Sequence, residues 1–279
     1  MRLTLLLTLL ASAAFAADQP ISFRFNAVVG NTDLACGRSY PNIGTNNSTV
    51  SPRDFRFYVH DVAVIDQAGN AIPVTLTQDG KWQLDNVALL DFEDATGNCS
   101  NGTPERNTQI TGTIPAATRV RGVRFLLGVP MDKNHTDLTK MPSPLNLTAL
   151  AWSWNAGRKF ARLDFSTTAN PRGSAIHLGS TGCTPNDTKT TIPTSCLAPN
   201  RASIEFPSVN PASDIILADL SALLKDSNAD ASGCMSGPRT AACGPLFSNF
   251  GLPFPGQDTK LQSFFRLQRG ALPVESARN

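Results

Sequence analysis

Residues 54–66, DFRFYVHDVAVID, alternate with a period of two: Phe55, Phe57 and Val59 fall on one side, Arg56, Tyr58 and His60 on the other. Only an extended chain sends every second side chain to the same face, so the stretch reads as a strand with one apolar and one polar face. The same period recurs on both sides of it. In ISFRFNAVVG (21–30), Ile21, Phe23, Phe25 and Ala27 oppose Ser22, Arg24 and Asn26. TRVRGVRFLLGVP (118–130), KFARLDFS (159–166) and RASIEFP (201–207) read as further strands. Many half-buried strands bounded by Gly, Pro and Asn predict an all-β fold, an antiparallel β-sandwich or barrel-like arrangement. The 20 prolines and 20 glycines suit its many connections.

One segment breaks the pattern. In SDIILADLSALLKDS (213–227), Ile216, Leu217, Leu220, Leu223 and Leu224 form a stripe at helical spacing, with Ser213 or Asp214 as cap. It predicts one short helix packed on the sandwich. The following CMSGPRTAACGPLFSNFGLPFPGQ (234–257) reads as a loop region held by Cys234 and Cys243.

The first seventeen residues carry Arg2, an apolar run from Leu3 to Leu10 and the small-x-small sequence Ala14-Phe15-Ala16. That is a signal peptide at 1–17, leaving one β-rich domain over 18–279 and implying export to a periplasm, with surface association open. No lipobox cysteine follows the leader. The formal charge of +2 is spread thinly, which excludes a nucleic-acid partner because that would need a concentrated basic footprint.

Six cysteines, Cys36, Cys99, Cys183, Cys196, Cys234 and Cys243, lie in the exported part. An even number in an oxidising compartment predicts three disulfides whose pairing stays open. No C-x-x-C spacing supports a thioredoxin-like or zinc-cluster reading. With every cysteine paired, a soft-metal site must draw on histidine or methionine.

There are three histidines. His60 ends a strong strand, His135 sits in GVPMDKNHTD where the chain leaves a strand, and His177 precedes Cys183 in SAIHLGSTGC. Three neutral imidazoles converging from separate segments would suit copper, zinc, iron or nickel. In ALAWSWNAG (149–157), Trp152 and Trp154 would project to one face of a strand, roughly 7 Å apart. A core patch or a sugar-stacking platform both explain such a pair. Asp91, Glu93 and Asp94 offer a carboxylate pair, but in a loop before Cys99 they read as solvated. With no G-x-S-x-G elbow and no phosphate loop, catalysis has little support.

The ordered series FRFNAVVG, DFRFYVHDV, LLDFEDATGNC, RFLLGVPMDKNHTD, LNLTALAWSWNAGRKF and IHLGSTGC resembles the MbnP-like family over about residues 21–200. These are periplasmic members of metallo-mystery pair systems with a four-cysteine, W-x-W pattern, related to the copper-repressible surface protein CorA of methanotrophs. The resemblance implies a β-rich copper-binding protein, not an enzyme, holding Cu(I) or Cu(II). It implies a di-haem partner of the MauG/cytochrome c peroxidase kind, which oxidises a tryptophan to kynurenine near the copper. An outer-membrane copper transport system is a further partner it admits, and copper homeostasis the setting. Carried onto this chain, His60, His135 and His177 become the metal ligands, and Trp154 or Trp152 the modified residue. The family cysteines match Cys36, Cys99, Cys183 and Cys196, and Cys234 with Cys243 look like a local extra. Two positions depart from the family: Ala151 stands where a methionine often precedes the pair, and Arg158 where a tyrosine follows it, a tyrosine that would serve docking or electron transfer. The competing reading from another class is a tryptophan-based carbohydrate-binding or surface-adhesion module. A weaker third is a copper or zinc enzyme.

Overall fold

The computed structural model describes residues 17–153, 156–185 and 191–270. The expected leader, apart from Ala17, and Trp154 lie outside the described residues. The chain forms two main sheets that enclose one phenylalanine-rich core. The first sheet runs in the order Phe265–Gln268, Ile215–Asp219, Gln19–Val29, Gln109–Ile114, Thr75–Leu76. The second runs Ser174–Leu178, Ala161–Thr167, Ser48–Asp66, Val120–Leu127, Ala202–Phe206, with Val87–Asp91 also paired to the long central strand. Phe25 of the first sheet meets Phe125 of the second edge-on at 5.7 Å, and Phe265 meets Phe57 and Phe125 at 5.4 Å each. Edge-to-face pairs at such spacing add to the area they bury, so the two inner faces are specified by fit as well as by hydrophobicity.

The β-sandwich is therefore as expected, with one parallel pair inside it: Gln19–Val29 runs beside Ile215–Asp219 in the same direction. That pairing corrects the helix expected over 213–227. Ile215–Asp219 is a strand flanked on both sides, and only Leu220–Leu224 is helical. A strand buried on both faces reads as a continuous apolar run, which mimics a helical stripe over a few residues. The true cap is Asp219, whose carboxylate accepts from the N–H groups of Ser221 and Ala222 at 2.9 and 3.3 Å. Asp214 instead accepts from Asn210 N and Gly270 N, closing the turn before the strand. The tail holds a second helix of note, Cys243–Phe250, in place of an all-loop region.

The three disulfides are Cys36–Cys99, Cys183–Cys196 and Cys234–Cys243. Cys183 and Cys196 face each other across a two-stranded ribbon, Thr181–Thr184 with Ser195–Ala198, which stands apart from both main sheets.

The polar face of Ser48–Asp66 is not wet. Arg56, Tyr58 and His60 are as buried as Phe55 and Phe57. Tyr58 donates to Pro144 O at 2.7 Å, and Arg56 pairs with Asp54 and, at 3.6 Å, with Glu93. Segments laid across this face thus satisfy Arg56 and Tyr58 internally, as burial demands, and leave His60 as the exception. Asp91 and Glu93, expected to be solvated, are buried here too. Asp91 lies opposite Arg56 in register, and burial pushes its carboxyl up to about 8. It is mostly protonated at neutral pH.

Candidate metal centre

His60 sits where the long strand is bent. The register with Val120–Leu127 slips between Arg124 and Leu126, and Asp61 just after His60 takes a left-handed φ of 50°. A bulge of this kind re-aims the adjoining side chain. His60 is 2% exposed; its Nδ1 lies 3.0 Å from Asp61 Oδ2, yet neither ring nitrogen has a hydrogen-bond partner among the described residues. Burial holds its pKa below the ordinary histidine range, with Asp61 opposing, so the ring is neutral at neutral pH.

His135 follows a single helical turn, Met131–Asn134, and is fully enclosed. Asn134 fixes its protonation. Asn134 Oδ1 accepts from Arg158 N at 2.9 Å, which leaves Asn134 Nδ2 to donate to His135 Nε2 at 3.0 Å. Nε2 is thus the unprotonated nitrogen. A neutral hydrogen bond of this sort is worth about 1 kcal/mol net, little against a metal–imidazole bond that would replace it.

Arg158 holds this corner together. Its guanidinium donates to Leu145 O at 2.6 and 3.0 Å, to Asn134 O at 3.0 Å, and to Lys133 O. It is 1% exposed, so the residue at the family's tyrosine position meets no docking partner and acts as an internal brace.

His177 lies on Ser174–Leu178, beside Arg162 in the sheet. Its Nε2 is 2.9 Å from Asp164 Oδ1, while its Nδ1 is buried without a partner. Burial would raise the Asp164 pKa, but the hydrogen bond from His177 and the charge of Arg162 hold it below the usual carboxylate value. Asp164 is in turn bound by Arg162 at 2.8 Å, and Arg162 reaches Asp54 at 3.1 Å. The ring is therefore oriented by a chain of charges running back into the sheet.

A cavity of about 730 Å³ opens at His177, walled by Trp152, Lys159, Gly182, Cys183 and Met235. Trp152 lies on Ala151–Ser153 and is half-buried. A Cβ at Gly179 would stand 2.5 Å from the ring, so this glycine is what lets the indole seat against the chain.

The donor atoms that come together among the described residues are those of His135, Cys183 and Cys196, within 4.8 Å of one another. The two sulfurs are bonded and offer no thiolate. His135 Nε2 is 3.8 Å from Cys196 Sγ, and Cys183 is among the residues that line the cavity at His177. Neither His60 nor His177 is in that donor group, so the donor atoms of the three histidines do not meet in one cluster of the described residues. Arg201 Nη2 lies 4.0 Å from Met131 Sδ at the edge of the His135 corner. Met131, Asn134 and Asp164 are the residues that sequence reasoning missed. Asp164 is thirteen positions from His177 and meets it only through strand pairing, so nothing local announces it.

Residues 18–236 match the family model described as MbnP. The chain belongs to the MbnP family. The match runs beyond residue 200, where the resemblance was expected to end, and takes in Cys234. The fold is similar to the solved structure of MbnP from Methylosinus trichosporium, with a TM-score of 0.79 at 28% identity, over 92% of this chain and 100% of that one. A search of curated proteins finds no match. Membership in the MbnP family makes this a binding module and not a catalyst, in keeping with the reading of the sequence.

Proposed function

We propose that this protein is a periplasmic copper binder whose metal is held by His60, His135 and His177, next to a tryptophan that a di-haem partner oxidises to kynurenine. The observation that carries the metal reading is the state of two imidazoles. His177 keeps Nε2 against the Asp164 carboxylate and Nδ1 buried with no hydrogen-bond partner among the described residues, while His60 keeps both ring nitrogens buried without one, Asp61 Oδ2 lying 3.0 Å from its Nδ1. Metal-bound histidines show this arrangement, because a carboxylate fixes the ring and raises its basicity while the second nitrogen binds the ion. An orphaned buried nitrogen is otherwise costly. Neutral imidazole suits copper, and low exposure around His60 and His135 excludes competing water.

Trp152 supports the second part of the reading by its place in the cavity wall beside His177. Trp154, the other choice for modification, lies outside the described residues. Ring opening would give the indole an aryl amine and a ketone, polar groups that the unmodified wall lacks. The partner would act as the oxidant, and this chain would be its substrate.

The test is competition with a copper chelator, on disulfide-intact protein, for the wild type and for His60→Ala, His135→Ala and His177→Ala. Each single variant should weaken copper binding at least tenfold while keeping the fold. Normal binding in all three would rule out this ligand set. Glycan binding that survives chelators and is lost on replacing Trp152 would favour an adhesion module.

A further inference from the structure

We propose that the Cys183–Cys196 disulfide is a reducible cover over a second, softer metal site, in which Met131 Sδ, His135 Nε2 and the two freed Sγ atoms bind one Cu(I). This goes beyond the histidine reading: the donor set is different, and His135 is the one residue shared.

Four potential donors already crowd one spot. Cys196 Sγ lies 3.9 Å from Met131 Sδ and 3.8 Å from His135 Nε2. Cys183 Sγ falls within 4.8 Å of a ring nitrogen of the same imidazole. With metal–sulfur bonds near 2.3 Å, two ligands of a tetrahedral ion stand roughly 3.8 Å apart. The contacts of Cys196 therefore already have the spacing of ligand edges. Only the two sulfurs are too close, because they are bonded. Reduction lets them part to that spacing by side-chain rotation on a ribbon that both main sheets leave free.

Two features select this pair. Cys183 and Cys196 are both half-exposed, whereas each other disulfide has a buried sulfur: Cys99, bonded to half-exposed Cys36, and both Cys234 and Cys243. A reductant thus meets the Cys183–Cys196 bond first. Second, Arg201 stands beside the site, with Nη2 4.0 Å from Met131 Sδ. Its charge favours the thiolates and offsets the single negative charge that two thiolates and Cu(I) carry together. Thiolate, thioether and imidazole form a soft set that prefers Cu(I) to harder ions.

The electron count is simple. A dithiol reductant gives two electrons and two protons to the Cys183–Cys196 bond, which breaks, and its own two thiols close to a disulfide. Binding of Cu(I) then releases the two thiol protons.

The experiment uses the mature protein, anaerobically, before and after limited treatment with a trialkylphosphine, which ends as its oxide. Thiol titration and peptide mapping identify which pair opens, far-UV circular dichroism reports the sheets, and competition with bicinchoninate reads Cu(I) affinity. Two thiols should appear, at Cys183 and Cys196, with the sheets intact. Cu(I) affinity should tighten at least tenfold, with a near-UV thiolate-to-copper band absent from the oxidised protein. Met131→Leu should lose most of that gain, read as the ratio of reduced to oxidised affinity for the same variant. The proposal is overturned if another pair opens first, if the sheets are lost, if reduction brings neither tightening nor band, or if Met131→Leu changes nothing. The histidine reading is tested on oxidised protein, so the two fail separately.

Discussion

Gly179→Ala is a small change with a large expected effect. The added Cβ would stand 2.5 and 2.7 Å from Cζ3 and Cη2 of Trp152, and 2.9 Å from the carbonyl oxygen of Arg158. Ordinary contact is about 3.5–4 Å, so both sides of the new methyl are short by roughly an ångström. The indole could swing into the cavity, but the carbonyl cannot retreat, because Arg158 is clamped by its guanidinium bonds to Leu145, Asn134 and Lys133. Overpacking of this type costs about 1–3 kcal/mol. At roughly 2–4 °C per kcal/mol for a chain of this size, the melting temperature should fall by several degrees. Thermal unfolding reads that loss. Fluorescence of the variant in a background with both Trp82→Phe and Trp154→Phe, which leaves Trp152 alone, should show a more solvent-exposed indole, and with Trp154 retained copper binding should weaken as the cavity wall moves. An unchanged melting temperature with unchanged emission would refute the claim that Gly179 seats Trp152.

Three further outcomes follow from the buried charges. Asp164→Asn keeps the shape beside His177 but removes the carboxylate, and chelator competition should show copper affinity lower by about 10–100-fold with the sheets intact. Asp91 has its folded pKa raised to about 8, so its favourable contribution is full below about pH 4, the unfolded value, and is lost as pH rises through 8. In urea unfolding, Asp91→Asn should therefore gain stability relative to wild type between those limits, and a flat difference would contradict the assignment. Arg158→Met leaves the buried carbonyls of Leu145, Asn134 and Lys133 without their donor and should cost at least about 2 kcal/mol by the same assay.

Much of the sandwich was legible because alternation in DFRFYVHDVAVID and ISFRFNAVVG records which side chains face the core. Alternation does not say what lies on the other face. Arg56, Tyr58 and His60 look like a wet surface, yet Asp54, Glu93 and Pro144 satisfy Arg56 and Tyr58 under a cover of loops. A polar residue paired with another across the fold carries the same letters as a solvated one. The strand Ile215–Asp219 was hidden for a related reason: burial on both faces erases the period that distinguishes strand from helix. At the candidate site the histidines could be named because imidazole is scarce here, although His60, expected to end its strand, lies inside Ser48–Asp66 where the strand continues through a bulge. Their second partners could not. Asp164 reaches His177 across a strand pair, and Met131 reaches Cys196 from sixty-five positions away. The position of Arg158 was noticed for the tyrosine it replaces, and its role as a brace emerges only from the carbonyls around it.

The measurement closest to the central claim is native mass spectrometry of the protein purified from its own periplasm, with peptide mapping of residues 145–160. One bound copper per chain is expected, together with a peptide in which one tryptophan carries the mass of kynurenine. A metal-free, unmodified chain that also refuses added Cu(I) and Cu(II) would contradict it.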